Sequence, residues 1–562
     1  MTRSVSSDSS SPAAVNRFRP VGPSTGDGGW SLPHRRGTLH GGRPGRTVGG
    51  GAHPAAGPVA AGTAATATAY GAVLAAALGL GALAVPGGPV RLVMLLAFVT
   101  LGPGAAVICH VRVTDRLVEW ALAVTASLTA TAAVATAMVW VHLWQPVAAQ
   151  AAMASAVGVS GLVALINRRP RPEPARELVG NALLWYDTGA VDPRPAGTLT
   201  HGPRSNEAET RVIAVATTHT RQVLRAVGMA RVGGSPAIEP AASKTGIAAF
   251  LGTGPVALLG VAVLLWVVSM LRYQPERLDG YGLTRAMGVL FVGAVVAVGL
   301  SFAIELIGRA RTTVLAGGVL VVTVILNATV PLLYREPEYA WTYKHLGVID
   351  LLRDHGAVVD HTDIYQQWPA FFALVAEVSA TARVDALAFA AWSPLFFTLL
   401  DGLLLAALLK QVTSSRRVVL LGVFLFESCL WVCINYLSPQ AFAFALALGF
   451  WVILTRWLIA MPVPSKVGNG RLRRRRTALF YGLPTPSALG GRRTPALAVV
   501  GAVAVFAVIT ASHQLSPFLI ITPILLLTVF GAIRPRWLII PLGLILAGYV
   551  LPRLGPLGEQ YR

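Results

Sequence analysis

TTVLAGGVLVVTVILNATVPLLY, residues 312–334, runs for 23 positions without one charged side chain. A helix rising about 1.5 Å per residue crosses roughly 30 Å of hydrocarbon in that length. The segment that follows, REPEYAWTYKHLGVIDLLRDHGAVVDHTDIYQQWP (335–369), has the opposite character, with six carboxylates and three histidines. A chain that passes from pure hydrocarbon to dense titratable chemistry in one step is leaving a membrane for water.

The same alternation governs the rest of the sequence. Of 562 residues, 54% are hydrophobic and only 13% charged, and mean hydropathy is +0.62. Soluble domains carry nearer a quarter charged residues, so the class is integral membrane. Thirteen spans are expected: 64–85, 92–112, 117–141, 147–167, 247–271, 285–306, 312–334, 386–410, 417–436, 438–460, 496–512, 515–533 and 537–552. The expected fold is therefore all-α and polytopic. Residues 1–60 are rich in Ser, Gly, Pro and Arg without apolar periodicity, which predicts a disordered basic arm. The first apolar run begins too late for a cleaved signal peptide and is expected to stay as a span. Residues 61–311 then form a module of six spans with a long polar loop at 168–245.

Sidedness follows from arginine. With the N-terminus in the cytoplasm, the inner segments are RVTDR (112–116), the 168–245 loop opening RRPRPEPAR, GRART (308–312), KQVTSSRR (410–417), the loop holding RLRRRR (471–476) and RPR (534–536). Each is rich in Arg, as the positive-inside rule requires. The outer segments are PGGP, HLWQP, 272–285, 335–385, NYLSPQ (435–440) and SHQLSP (512–517), mostly poor in Arg or acidic. This distribution assigns the net charge of +21 to topology and anionic headgroups, not to nucleic acid. The 168–245 loop has neither GxxxxGK[ST] nor a GxGxxG in strand-to-helix context, which argues against a nucleotide-driven pump. Cys109, Cys429 and Cys433 all lie in apolar runs and read as small buried side chains.

Within the outer loop, a helix is expected from Pro337 to a stop at Gly356, with Leu346, Ile349 and Leu352 on one face. Tyr334, Tyr339, Trp341 and Tyr343 suit the headgroup level. WPAFFALVAEVSA (368–380) is too short to span, so two interfacial helices joined by VVDHTD are expected in the loop. Eight of the 25 acids fall in 335–385. Glu336 and Glu338 leave span seven where membrane meets water, a position that raises a carboxylate toward useful basicity. In the short turns, Ser438 and Ser516 read as helix caps. Asn435, Gln440, His513 and Gln514 are either caps or ligands. Asp401 and Glu427 lie inside spans, where an ionisable group usually faces a partner or cavity.

This layout resembles the GT-C superfamily of membrane glycosyltransferases, which take sugars from polyprenyl-phosphate carriers. The resemblance rests on a span ending in an acidic motif (YREPEYAW), the long outer loop HLGVIDLLRDHG to QQWPAFF, and further spans with short polar outer turns. It covers residues 312–562, whose seven spans would form the family's core. Where the family usually carries an Asp-containing motif, this chain has Glu-Pro-Glu. The resemblance implies an enzyme of the cytoplasmic membrane working on a polyprenyl-phosphate-linked sugar at the extracytoplasmic face. Glu338 or Glu336 would be the base, and Lys344, His345, Arg353 and His513 would hold the departing phosphate. Tyr365 and Trp368 would stack on sugar, with Asp363, Asn435, Gln440 and Gln514 as further substrate contacts. No cofactor is required, although the loop acids could hold a divalent cation. Two other functions fit the same sequence: a transporter or flippase of lipid-linked saccharide using Asp401 and Glu427, and a non-catalytic scaffold for envelope assembly.

Overall fold

The computed structural model describes residues 58–111, 113, 115–167, 246–279, 282–334, 336–430, 435–459, 493–555 and 558. The N-terminal arm up to 57, the 168–245 loop and RLRRRR lie outside the described residues. The protein is an all-α polytopic membrane protein. In chain order the main helices are α1 (Pro58–Ala84), α2 (Pro89–Ile108), α3 (Arg116–Trp140), α4 (Pro146–Asn167), α5 (Gly246–Leu271), α6 (Val289–Ile307), α7 (Thr312–Leu333) and α8 (Trp341–His355). They continue with α9 (Ala370–Ala382), α10 (Ser393–Val412), α11 (Arg416–Cys429), α12 (Pro439–Ile453, prolonged by a π turn to Leu458), α13 (Arg493–Ser512), α14 (Ser516–Val529) and α15 (Ile539–Val550). Among the described residues, ten helices are long and apolar enough to cross a membrane. The spans expected at 417–436 and 515–533 correspond to the shorter helices α11 and α14, and the one expected at 496–512 coincides with the apolar stretch Ala496–Ser512 of α13.

Local chemistry sets the helix starts. Asp115 accepts from the amides of Leu117 and Val118 at the head of α3, and Ser438 accepts from Ala441 at the head of α12. Both are side-chain oxygens taking orphan N–H groups of a first turn. The loop helix α8 starts at Trp341, so the expected start at Pro337 is corrected: Glu336 to Ala340 form bends and a turn. Its stop is where the sequence placed it, at Gly356, which adopts φ +64°. A left-handed residue there admits Gly without strain. A Cβ would also collide with Trp144.

Two apolar cores build the bundle. α3 is central to the larger, packing against α2, α9, α10, α12 and α13. The packing of the first four helices is thus continuous with that of the helices after residue 312. α9 goes deeper than a surface position: every residue but Ala380 is buried. AFFALVAEVSATA is apolar around its whole circumference, and such a helix is covered on all sides. The smaller core joins α5, α6 and α7 to α10 and α11, with Phe302 stacked on Phe424 at 4.0 Å.

Close approach of α2 to α3 depends on Gly104, whose amide donates to Ser127 Oγ at 2.7 Å. A Cβ at Gly104 would overlap the Ala123 carbonyl, a backbone atom that cannot turn away. Gly104→Val is therefore expected to cost about 1–3 kcal/mol or more, since overpacking of this kind forces helices apart. Thermal unfolding in detergent checks it; an unchanged midpoint would show that α2 and α3 do not meet there.

The turns sort to two ends of the bundle. At one end Gly88 N–H donates to Ala382 O, Trp144 packs on Gly356, Tyr549 donates to Gln367 O, and Tyr273 meets Tyr334 edge-on. At the other, Lys410 pairs with Asp115, Arg534 N–H donates to Leu458 O, and Arg311 pairs with Glu305. The segments grouped by arginine content as outer meet at the first end. Described members of the Arg-rich group meet at the second.

Candidate functional site

At the first end, side chains from three separate segments converge on His345. The ring lies in α8 and is buried. Its Nδ1 donates to the Leu437 carbonyl at 2.8 Å. A carbonyl only accepts, so Nδ1 carries the proton and the neutral ring keeps Nε2 as an acceptor. Tyr436 lies parallel to the imidazole (13°, 5.6 Å between centroids), and Tyr365 and Phe372 approach at 5.5 and 5.6 Å. Tyr339 meets Tyr436 at 5.4 Å. Lys344 holds its ammonium 4.6 Å above the Tyr365 ring, a cation–π contact.

His513 comes to the same place from the turn before α14. Ser516 donates to its Nδ1 twice, from the hydroxyl at 2.8 Å and the backbone amide at 3.3 Å. The sequence expectation that Ser516 caps α14 is thereby corrected. The helix begins with His513 as the acceptor, and Ser516 supplies donors to it. The neutral ring then carries its proton on Nε2, opposite in sense to His345. Burial pushes His513 down to about 4, with the nearby charge of His345 acting the same way. His345 is lowered as well, chiefly by burial. Both rings are neutral at pH 7.

Glu338 is one residue before Tyr339, whose ring meets Tyr436 of this cluster. Its side chain reaches the surface, yet crowding by protein strips enough water to raise its carboxyl above the ordinary value. Glu336 faces Tyr343, whose hydroxyl is raised by desolvation and then by the Glu336 charge.

Other expected site residues are used differently. Arg353 pairs with Asp350 at 2.9 Å and with Asp354 at 3.1 Å. It lies eight residues from His345 on α8, about 12 Å along the axis. Asp363 accepts from the amide of Tyr365 at 3.1 Å and so shapes the turn that presents Tyr365. Trp368 is buried against Tyr549 and has no open face for a sugar. Asn435 turns inward, donating to Asn327 Oδ1 at 2.8 Å and Thr398 Oγ at 2.9 Å. Gln440 is exposed and Gln514 half-buried. Among the described residues no three His, Cys, Asp or Glu side chains gather as a metal site.

The loop is latched from the C-terminal side. Tyr549 Oη and Arg553 Nε both donate to the Gln367 carbonyl, at 2.9 and 3.2 Å, and the Arg553 guanidinium lies 3.8 Å over the Tyr549 ring. Beneath the imidazole cluster lies an apolar cavity of about 120 Å³ lined by Leu96, Val99, Phe371, Phe397, Leu437 and Phe442, among others. Leu437 belongs to both: its carbonyl fixes His345 and the residue borders the cavity.

The chain was compared with protein-family models, curated proteins and solved structures, and it matches none of them.

Proposed function

We propose that the protein is a membrane glycosyltransferase that moves a sugar from a polyprenyl-phosphate carrier to an acceptor hydroxyl at the extracytoplasmic face of the cytoplasmic membrane. One observation carries the reading: Lys344 and His345 of α8, with His513 of the turn before α14 close enough to feel the His345 charge, lie by Leu437, whose carbonyl holds His345 and which borders an apolar cavity. A polar head above an apolar tail has that same division. The N-terminus would be cytoplasmic, because the arginine-rich segments then lie inside.

In this reading Lys344 and the Nε2–H of His513 donate to the phosphate. Tyr365 and Tyr436 flank the sugar, and His345 Nε2 accepts from a sugar hydroxyl. Glu338 takes the acceptor's proton as the acceptor oxygen bonds to the anomeric carbon. The bond from that carbon to the phosphate oxygen breaks, and polyprenyl phosphate leaves with the electron pair, its charge met by Lys344. Desolvation of Glu338 makes it a stronger base than a solvated carboxylate. The purified protein is expected to transfer or release label from radiolabelled polyprenyl-phosphate hexoses or pentoses. A membrane-impermeant thiol reagent is expected to reach Glu338→Cys from outside intact cells. No turnover with any such donor, or labelling from the cytoplasmic side only, would remove the reading.

A further inference from the structure

Asp401 and Glu427 are not used by the reaction above. They lie on neighbouring membrane helices α10 and α11, and are 1% and 3% exposed. Glu427 Oε1 lies so close to the backbone of Gly402 that a Cβ there would overlap it, which puts its carboxyl beside Asp401. Among the described residues no hydrogen bond or ion pair reaches Asp401 Oδ1 or Glu427 Oε2. Among the described residues no cation is at hand. α7 has no ionisable side chain, and neither does α12 from Pro439 to Ile453; its π turn carries Arg456, which lies near Asp115 at the far end. On α10, Lys410 is nine residues away and paired with Asp115. On α11, Arg416 and Arg417 begin the helix, on the order of 15 Å from Glu427 along its axis. From α3, the charged Arg116 and Glu119 are both in the first turn, at the same far end. α6 contributes Glu305, which is bound to Arg311 there.

Two unpaired carboxylates in contact inside hydrocarbon would each suffer the desolvation cost of an ion and repel the other. A proton between them removes one charge and lets one oxygen donate to the other. We propose that Asp401 and Glu427 form a membrane-embedded proton-binding site. Polar side chains lie between it and the end that carries His345. Thr398 sits one turn from Asp401 on α10, about 5 Å along the axis, and its hydroxyl is bonded to Asn435 of the outer turn and to Asn327. The pair gains H⁺ in passing from two carboxylates to one acid and one carboxylate, and loses it in reverse. No oxidant, reductant or metal is involved. The inference stands whether or not the protein transfers sugar.

Dicyclohexylcarbodiimide reads this state, because only a protonated carboxyl reacts with it. The acid's proton passes to a carbodiimide nitrogen as its oxygen bonds to the central carbon. Full-length protein in liposomes is expected to be modified at Asp401 or Glu427 near pH 6, as located by peptide mass spectrometry. Labelling should fall about tenfold per pH unit above the midpoint of the pair. In Glu427→Gln the like charge is gone, so labelling of Asp401 should fall away at lower pH than in wild type. Failure to label either residue near pH 6 would overturn the proposal. So would labelling that ignores pH but is blocked by sodium ions, which would make the occupant a metal cation.

Discussion

Glu338→Gln is expected to lower sugar transfer at least about 100-fold, the usual scale for loss of a positioned base, while polyprenyl phosphate binds as before. Gln is nearly isosteric and cannot take a proton, so the substitution isolates basicity from shape. Glu338 makes no hydrogen bond or ion pair among the described residues, which leaves its lone pairs free for an acceptor hydroxyl. The neighbouring Glu336 is engaged by Tyr343, and Glu336→Gln should lose much less. The two variants therefore discriminate. A larger loss at position 336 would move the base there. Equal and small losses would leave the cluster as a binding site without transfer chemistry. A scaffold would show no change in either.

The fold was largely legible because membrane physics writes it in composition. Uncharged runs such as 312–334 have few structural options, and arginine content sorted the turns into two groups that the described contacts bring together. The site was half legible. His345, Lys344, Tyr365 and His513 could be picked out as polar groups in outer segments. Their convergence could not, since His345 and His513 are 168 positions apart and no periodicity links them. Tyr436 was visible as part of NYLSPQ, but its ring contact with His345 depends on the Leu437 carbonyl, and a backbone acceptor leaves no trace in side-chain identity. Asn327 was a missed signal. An amide inside a 23-residue apolar span needs a partner there, and that demand pointed to another polar group at depth, which is Asn435. Asn435 then ceases to be a free ligand at the surface. The circumferential apolarity of 370–382 likewise contained its burial, although shortness alone suggested a helix lying flat.

Acid should destabilise this protein through His513, in a window that its surroundings define. Burial holds the folded-state ring at about 4, against an ordinary 6.5. A histidine lowered on folding binds its proton more readily in the unfolded chain. Its neutral form stabilises the fold fully above pH 6.5, and that contribution is lost as pH falls toward 4 and below. At 1.36 kcal/mol per unit, the loss is roughly 3 kcal/mol, with His345 adding to it in the same direction. His513→Gln keeps an acceptor for the Ser516 donors but cannot titrate. Unfolding midpoints measured from pH 7 to 4 in one detergent should drop steeply for wild type and much less for the variant; parallel curves would show that the ring titrates normally and is not desolvated beside His345. Saturating polyprenyl phosphate supplies a further discrimination. An anion beside both imidazoles favours their charged forms, so the bound protein should take up protons and resist acid better than the free one. If the lipid phosphate instead left the acid transition where it was, it would be binding somewhere other than over these two rings.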